Sequence, residues 1–173
     1  DVCSAPGGKA IFVAEKNPTA NVVACDIHPH RVDLIGAYAR RMHVKNVTPT
    51  LFDGTAFNKE WAGYFDRVLC DVPCSAMGVV KKQPDVLLNR NKNDIAALKK
   101  VQYSILDNAK NYVKSGGLLV YSTCTIFKEE NDDNVEEFLK NNNDFENYPS
   151  EFDGQYLPCD THDGFFIRRL RRK

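Results

Sequence analysis

The sequence predicts an α/β protein with a doubly wound, mostly parallel sheet, on three observations. Runs rich in Val, Leu and Tyr alternate with segments of helical periodicity. The intervening segments are long enough to be the helical crossovers that parallel strands need. Four successive strand-like runs end in a Gly-rich turn or an acidic residue, at the carboxyl edge where ligands bind in such sheets.

The chain opens on Asp1-Val2-Cys3-Ser4-Ala5-Pro6-Gly7-Gly8-Lys9, a strand end that passes through a Gly-rich turn into a helix holding Ile11 and Glu15. Strands are expected over residues 21–26, 47–52, 66–72 and 117–123. A helix over residues 29–43 has Pro in its first turn and sets Val32, Ile35, Ala39 and Met42 on one face. The longest helix is expected over residues 94–113, where Ile95, Leu98, Gln102, Ile105, Ala109 and Tyr112 recur at helical spacing, with Asn93 as cap and Gly116-Gly117 as the stop. Another helix is expected over residues 129–140, and the polar residues 141–163 are expected to form a large loop. Most of the strand feeding the opening turn is expected to lie before Asp1.

At 173 residues the chain has the size of one domain with one core. No apolar run approaches the roughly 20 residues that a membrane-spanning helix needs, so no membrane partner is expected. No leader precedes the first motif, and the chain reads as a fragment. Its six cysteines are irregularly spaced and form no C-x-x-C, which points to free thiols in a reducing cytoplasm. Only His28-x-His30 hints at metal ligation, so no metal is expected. Net charge is zero but unevenly spread: residues 129–153 hold ten acids against Lys140, whereas the end reads Arg168, Arg169, Arg171, Arg172, Lys173. Arg40-Arg41, Lys81-Lys82 and Lys99-Lys100 add basic pairs. Each is by itself an ordinary solvated face, and only clustering in space would make a phosphate track.

The chemistry gathers after the strands. Asp26 ends a strand 19 residues after Gly7, where a carboxylate accepts from ribose hydroxyls. Asp53 and Asp71 close the next two strands, although any single Asp there equally suits a loop cap. Cys25 and Cys70 lie within strands and read as small hydrophobes. Cys74, in Asp71-Val72-Pro73-Cys74-Ser75, and Cys124, in Tyr121-Ser122-Thr123-Cys124-Thr125, lie just past strands at the ligand-binding edge. Spacing does not decide which of the two would act as nucleophile.

The phrases CSAPGGK, DVPCSAMG and YSTCT resemble the cofactor, Pro-Cys and Thr-Cys motifs of the Nop2/Sun RNA cytosine-5 methyltransferases. DIHPHRVDLI and DGFFIRRLRRK look most like the bacterial Sun/Fmu branch, which modifies 16S ribosomal RNA. The resemblance covers residues 1–173 and implies a catalytic domain on the Rossmann-like sheet of class I S-adenosylmethionine-dependent methyltransferases. It implies S-adenosylmethionine as cofactor, bound by Cys3, Ser4, Ala5, Pro6, Gly7, Gly8 and Lys9, with Asp26 on the ribose, Arg31 also in the cofactor site, Asp53 near the adenine, and Asp71 beside the methionine end and the target base. It makes Cys124 the nucleophile and Cys74 the helper, RNA the partner and the protein a monomer.

The chemistry explains the residues. Carbon 5 of cytosine is too weak a nucleophile to attack a methyl sulfonium, so a thiolate adds to carbon 6 and makes the ring enamine-like. Asp71 is placed to stabilise the adduct at the ring nitrogen, and Cys74 to help remove the proton from carbon 5. The target base must be unstacked, which favours single-stranded RNA.

Two departures from the family pattern stand out. Ser75-Ala76-Met77-Gly78 replaces the more frequent Ser-Gly-x-Gly, which alters the turn after Cys74. The RNA-binding region that the family carries upstream of the first motif is expected to lie outside residues 1–173.

Other readings are a transfer RNA enzyme of the same superfamily and a non-catalytic RNA-binding or ribosome-assembly protein, which would need no nucleophile. A DNA enzyme would use the Pro-Cys cysteine as nucleophile, and the hydride-transferring dinucleotide enzymes fit the Ala-Pro-Gly-Gly turn badly.

Overall fold

The computed structural model describes residues 1–88 and 91–173. The chain packs as two compact units, Asp1–Phe57 and Asn58–Lys173.

The first unit holds α1 (Gly8–Lys16), β1 (Val22–Asp26), α2 (Pro29–Arg41) and β2 (Val47–Leu51). β1 and β2 pair in parallel, from Val22 against Val47 to Asp26 against Leu51. The opening residues run along the other side of β1: Cys25 N–H donates to Asp1 O (2.8 Å) and Ser4 N–H to Cys25 O (2.7 Å). Ala10, Ala24 and Ile35 form the buried centre, with Ala5, Val22 and Val47 against it. Gly7 turns the chain into α1 with φ 107°, and a Cβ there would lie 3.3 Å from both Ile11 Cδ1 and Ile35 Cγ2, so the position needs glycine for conformation and space alike. α2 buries Ile35 and Ala39. Met42, expected on the same face, follows the helix end and is 40% exposed.

The second unit holds β3 (Phe65–Asp71), α3 (Lys92–Ala109), β4 (Val113–Thr123), α4 (Asp132–Asn141), β5 (Phe145–Asn147), β6 (Gly154–Tyr156) and β7 (Phe165–Arg172). The order is β3-β4-β7-β5, with β6 also on β7. β3 and β4 are parallel, whereas β7 runs antiparallel to β4, β5 and β6. α3 packs on β3, β4 and α4.

Several boundaries differ from the sequence expectation. The cap of α3 is Asn91, not Asn93: its side chain accepts from the N–H groups of Asn93 and Asp94 while Asp94 accepts from Asn91 N–H, a reciprocal capping box. α3 ends at Ala109, a 3-10 turn spans Lys110–Tyr112, and Gly116-Gly117 lie inside β4. Gly116 takes φ 75° there, a kink in a strand rather than a helix stop. α4 starts at Asp132, after a 3-10 turn at Lys128–Glu130. The expected loop over residues 141–163 contains β5 and β6, and the basic end is the strand β7.

The strand β7 accounts for the uneven charge. Its arginines pair with the acidic segment: Arg168 with Asp132 (2.6 Å), Arg169 with Asp153 (3.2 Å), Arg172 with Asp144 (3.5 Å), and Arg171 with Glu146. Lys81 and Lys82 pair with Asp160 and Asp163, and Lys99 with Glu137. These groups neutralise one another, so the terminal arginines do not form an unpaired phosphate track.

After β3 the chain turns through Ala76 at φ 62°, the left-handed region where an L side chain costs roughly 1–2 kcal/mol. Gly78 then stands where a Cβ would lie 2.5 Å from Gly164 O and 2.7 Å from Cys124 O. The departure at Ala76 therefore keeps a glycine-like backbone with a side chain on it. Ala76→Gly should raise stability by about 0.5–1 kcal/mol, the relieved strain less the extra freedom of the unfolded chain, measured by urea denaturation. Tyr121 is fully buried, its hydroxyl donating to Glu130 O (2.6 Å) and accepting from Asn134 Nδ2 (3.1 Å). Tyr121→Phe should cost about 1–3 kcal/mol in the same assay, because Asn134 and the Glu130 carbonyl lose a partner.

Candidate active site

In the first unit, the turn and the end of β1 form one polar cluster. Asp26 is buried; one carboxylate oxygen accepts from His28 N–H (3.0 Å) and the other meets Arg31 Nη1 (3.3 Å). Arg31 Nη2 also donates to Ala5 O (3.1 Å), so this arginine braces the Gly-rich turn against Asp26. α1 begins at Gly8 with no side-chain cap and no acid in its first turn, leaving N–H groups suited to a ligand. Ser4 Oγ is buried, and among the described residues no partner reaches it. A buried hydroxyl of this kind is costly unless something else bonds it, and an uncapped helix start beside it suits a polar, nucleotide-like group. Asp53, two residues past β2, accepts from Thr55 N–H (2.9 Å) and Thr55 Oγ1 (2.7 Å) through one oxygen. Its local role as a turn former is thus present whatever else it does.

In the second unit, the parallel register sets Asp71 opposite Ser122. Ser122 Oγ donates to Asp71 Oδ1 (2.7 Å), and Val72 N–H donates to Ser122 O (3.1 Å). Past that point both strands release their chains at the same edge, and Cys74 Sγ comes 3.2 Å from Cys124 Sγ. Neither is in a disulfide; Cys74 is buried and Cys124 partly exposed. Gly78 N–H donates to Cys124 O (2.9 Å), which ties the loop after Cys74 to the backbone of its partner. The hydrogen bond with Cys124, then burial, then the charge on Cys124 push the Cys74 thiol far above its usual range. The two sulfurs are therefore unequal: Cys74 is held as a thiol, and Cys124 is the one that solvent reaches.

Beneath the thiols lies a buried polar network that the sequence reading did not assemble. The Glu130 carboxyl is fully buried and accepts from Ser75 N–H (2.9 Å), Ser75 Oγ (2.5 Å) and Gln102 Nε2 (2.8 Å). Gln102 Nε2 also donates to Pro73 O (2.9 Å), and Ser75 Oγ lies 2.8 Å from Thr125 Oγ1. Asn131 joins Thr123 Oγ1 (2.6 Å) to Thr125 O (3.1 Å). One signal was available: Gln102 is a polar residue in the otherwise apolar stripe of α3, and such a residue needs buried partners. Glu130 and Asn131 lie in an acidic run that in the sequence reads only as charge and as part of a helix over residues 129–140.

Comparison with known proteins places this geometry. The model of the family described as 16S rRNA methyltransferase RsmB/F matches residues 1–171. Ribosomal RNA small subunit methyltransferase B of Escherichia fergusonii is 38% identical over all of this chain and 42% of its own length, so the chain spans less than half of that relative. Among solved structures, NSun6 from Pyrococcus horikoshii, with SFG, superposes with a TM-score of 0.84 at 26% identity, over 99% of this chain and 47% of that one. A methyltransferase homolog protein from Pyrococcus horikoshii gives 0.80 at 25%, over 98% and 59%. The fold is the doubly wound α/β fold of class I S-adenosylmethionine-dependent methyltransferases. With its Gly-rich turn, paired thiols and a family match over residues 1–171, the chain belongs to the 16S rRNA methyltransferase RsmB/F family.

Proposed function

We propose that this chain carries out S-adenosylmethionine-dependent methylation of carbon 5 of a cytosine in RNA, the substrate being 16S ribosomal RNA, through a covalent bond between Cys124 and carbon 6. The observation that carries the reading is the thiol pair, 3.2 Å apart and unequally exposed at the end of two parallel strands. The relatives' names support ribosomal RNA as the substrate.

The bound S-adenosylmethionine supplies an electrophilic methyl group. Ser4, with its buried hydroxyl, and the backbone of Gly7 and Gly8 at the start of α1 are the groups that would hold it, together with Cys3, Ala5, Pro6 and Lys9 of the same turn. Asp26, kept in place by His28 N–H and Arg31, would accept from the ribose, and Asp53 would lie toward the adenine.

Cys124, as thiolate, adds to carbon 6 of the cytosine, and Asp71 stabilises the ring nitrogen by a shared proton. Ser122 donates to one Asp71 oxygen and so orients the other. Carbon 5, now enamine-like, accepts the methyl group. While Cys124 is a thiolate, its hydrogen bond with Cys74 is the largest influence holding the Cys74 proton in place. Once the Cys124 sulfur is bonded to carbon 6 that influence is gone, and Cys74 can release its proton to water and take the one from carbon 5. Elimination then returns the Cys124 thiolate and the methylated base, with one proton passed to solvent.

The test incubates the protein with labelled S-adenosylmethionine and small-subunit ribosomal RNA and resolves protein–RNA adducts on a denaturing gel. Cys74→Ala should accumulate an adduct that Cys124→Ala never forms. Adduct in Cys124→Ala alone would reverse the two roles, and neither adduct nor methyl transfer in any protein would refute the reading.

Alkylation offers a second check, because the thiolate is the reacting form. Cys159 is exposed, and its thiol is lowered to about 7, first by the Thr161 hydroxyl and then by backbone N–H groups. Iodoacetamide should label it first, its rate falling as the pH drops below that value. Cys25, pushed up to about 11 chiefly by burial, should remain unlabelled at neutral pH, as should Cys74. Labelling of Cys74 as fast as Cys124, read by peptide mass spectrometry, would contradict the inequality of the pair.

A further inference from the structure

The buried Glu130 stands apart from Asp132, Asp133, Glu137, Asp144, Glu146 and Asp153 of its own segment, each of which pairs with an arginine or a lysine. The three donors that reach its carboxyl are all neutral and come from Ser75 and Gln102. A polar group buried this completely is costly, and an apolar side chain in its place is often no worse for stability. What the donors share is their position on either side of Cys74. Ser75 follows it directly. Gln102 bonds the carbonyl of Pro73, which precedes it, with the same amide nitrogen that reaches Glu130. Glu130 itself lies six residues after Cys124, at the end of the 3-10 turn that follows the Thr-Cys segment. Thr125, the residue after Cys124, closes the bracket through its hydroxyl contact with Ser75 Oγ.

We propose that Glu130 is a positioning residue that holds the Cys74 loop against Cys124, acting through Ser75 and Gln102. The proposal rests on the reading of Cys74 as the group that helps release the adduct. Glu130 does not touch the reacting atoms. Its carboxyl fixes the backbone on both sides of Cys74, and its own chain is continuous with the segment that carries Cys124. Gly78 N–H on Cys124 O already ties the two loops at one point, and the Glu130 bracket adds a second, beside Cys74 itself, where the sulfurs approach to 3.2 Å. A displacement of about 1 Å at a reacting group is enough to cost about 100-fold in rate.

The proposal predicts that loss of Glu130 resembles loss of Cys74 and not loss of Cys124. In the full-length protein with labelled S-adenosylmethionine and small-subunit ribosomal RNA, Glu130→Ala should still form the covalent adduct but release it about 10–100-fold more slowly than wild type. Its KM for S-adenosylmethionine should be unchanged. Glu130→Gln should release at close to the wild-type rate: its amide oxygen can accept from Ser75 N–H and Gln102, and its NH2 can face Ser75 Oγ, which then donates to Thr125 Oγ1. Ser75→Ala removes the hydroxyl link of the bracket while Glu130 keeps its bonds from Ser75 N–H and Gln102, and should slow release in the same direction even where Glu130→Ala fails to fold.

Three results would overturn the proposal. One is release at the wild-type rate in both Glu130→Ala and Ser75→Ala. Another is absence of adduct in folded Glu130→Ala, which would place its effect on Cys124. The third is a Glu130→Gln protein as slow as Glu130→Ala, which would make charge rather than hydrogen bonding the cause. Cys74→Ala in the same gel separates the two levels of argument: if it traps no adduct, the proposed chemistry itself fails.

Discussion

The parallel register of β3 against β4 is the constraint on which the thiol pair depends. With Asp71 opposite Ser122, the two strands end at the same level. The residues past each strand, Val72-Pro73-Cys74 after β3 and Cys124 after β4, must then leave the sheet side by side. A slip of one residue would turn Asp71 and Ser122 to opposite faces and break their hydrogen bond. Register alone leaves the loops free to diverge beyond the last ladder bond. Gly78 N–H on Cys124 O, and the contacts of Ser75 with Glu130 and Thr125, close that gap.

The antiparallel strand β7 does a different job. It lies between β4 and the short strands β5 and β6, and brings four arginines to a segment rich in acids. Most of these pairs are partly exposed, where a single pair contributes about 0–1 kcal/mol. Arg171 and Glu146 stand opposite each other on β7 and β5, where opposite charges favour that alignment. Phe166 and Leu170 supply the apolar part of the strand, both fully buried, with Phe166 edge-on to Tyr121.

The two thiols show how burial and a neighbour differentiate identical groups. Both follow a strand, and their flanking sequences gave no ranking beyond resemblance. In the folded chain one is covered and bonded to the other, and the other is reached by solvent. The same principle separates Glu130 from Glu129, adjacent to it in sequence: of the two, only Glu130 is turned into the network under the Pro-Cys loop.

Local chemistry was legible in the sequence by itself. The alternation of strands and helices, the Gly-rich turn that needs a positive φ at Gly7, Pro29 in the first turn of α2, and the acids and cysteines just past the strands all depend on interactions within a few residues. The capping residue of α3 was missed by two positions because Asn91, Asn93 and Asp94 are all suitable caps, and only the reciprocal bonds choose among them. Tertiary structure alone decided what depends on partners far apart in the chain. The pairing of arginines 168–172 with acids at 132–153 made a strand of what read as a basic tail. The meeting of Glu130 with Ser75, 55 residues away, made an internal anchor of one acid in a run of ten. Sequence patterns report the periodicity of burial, whereas a buried polar group is recognised by its partner, and the partner is known only once the chain has folded.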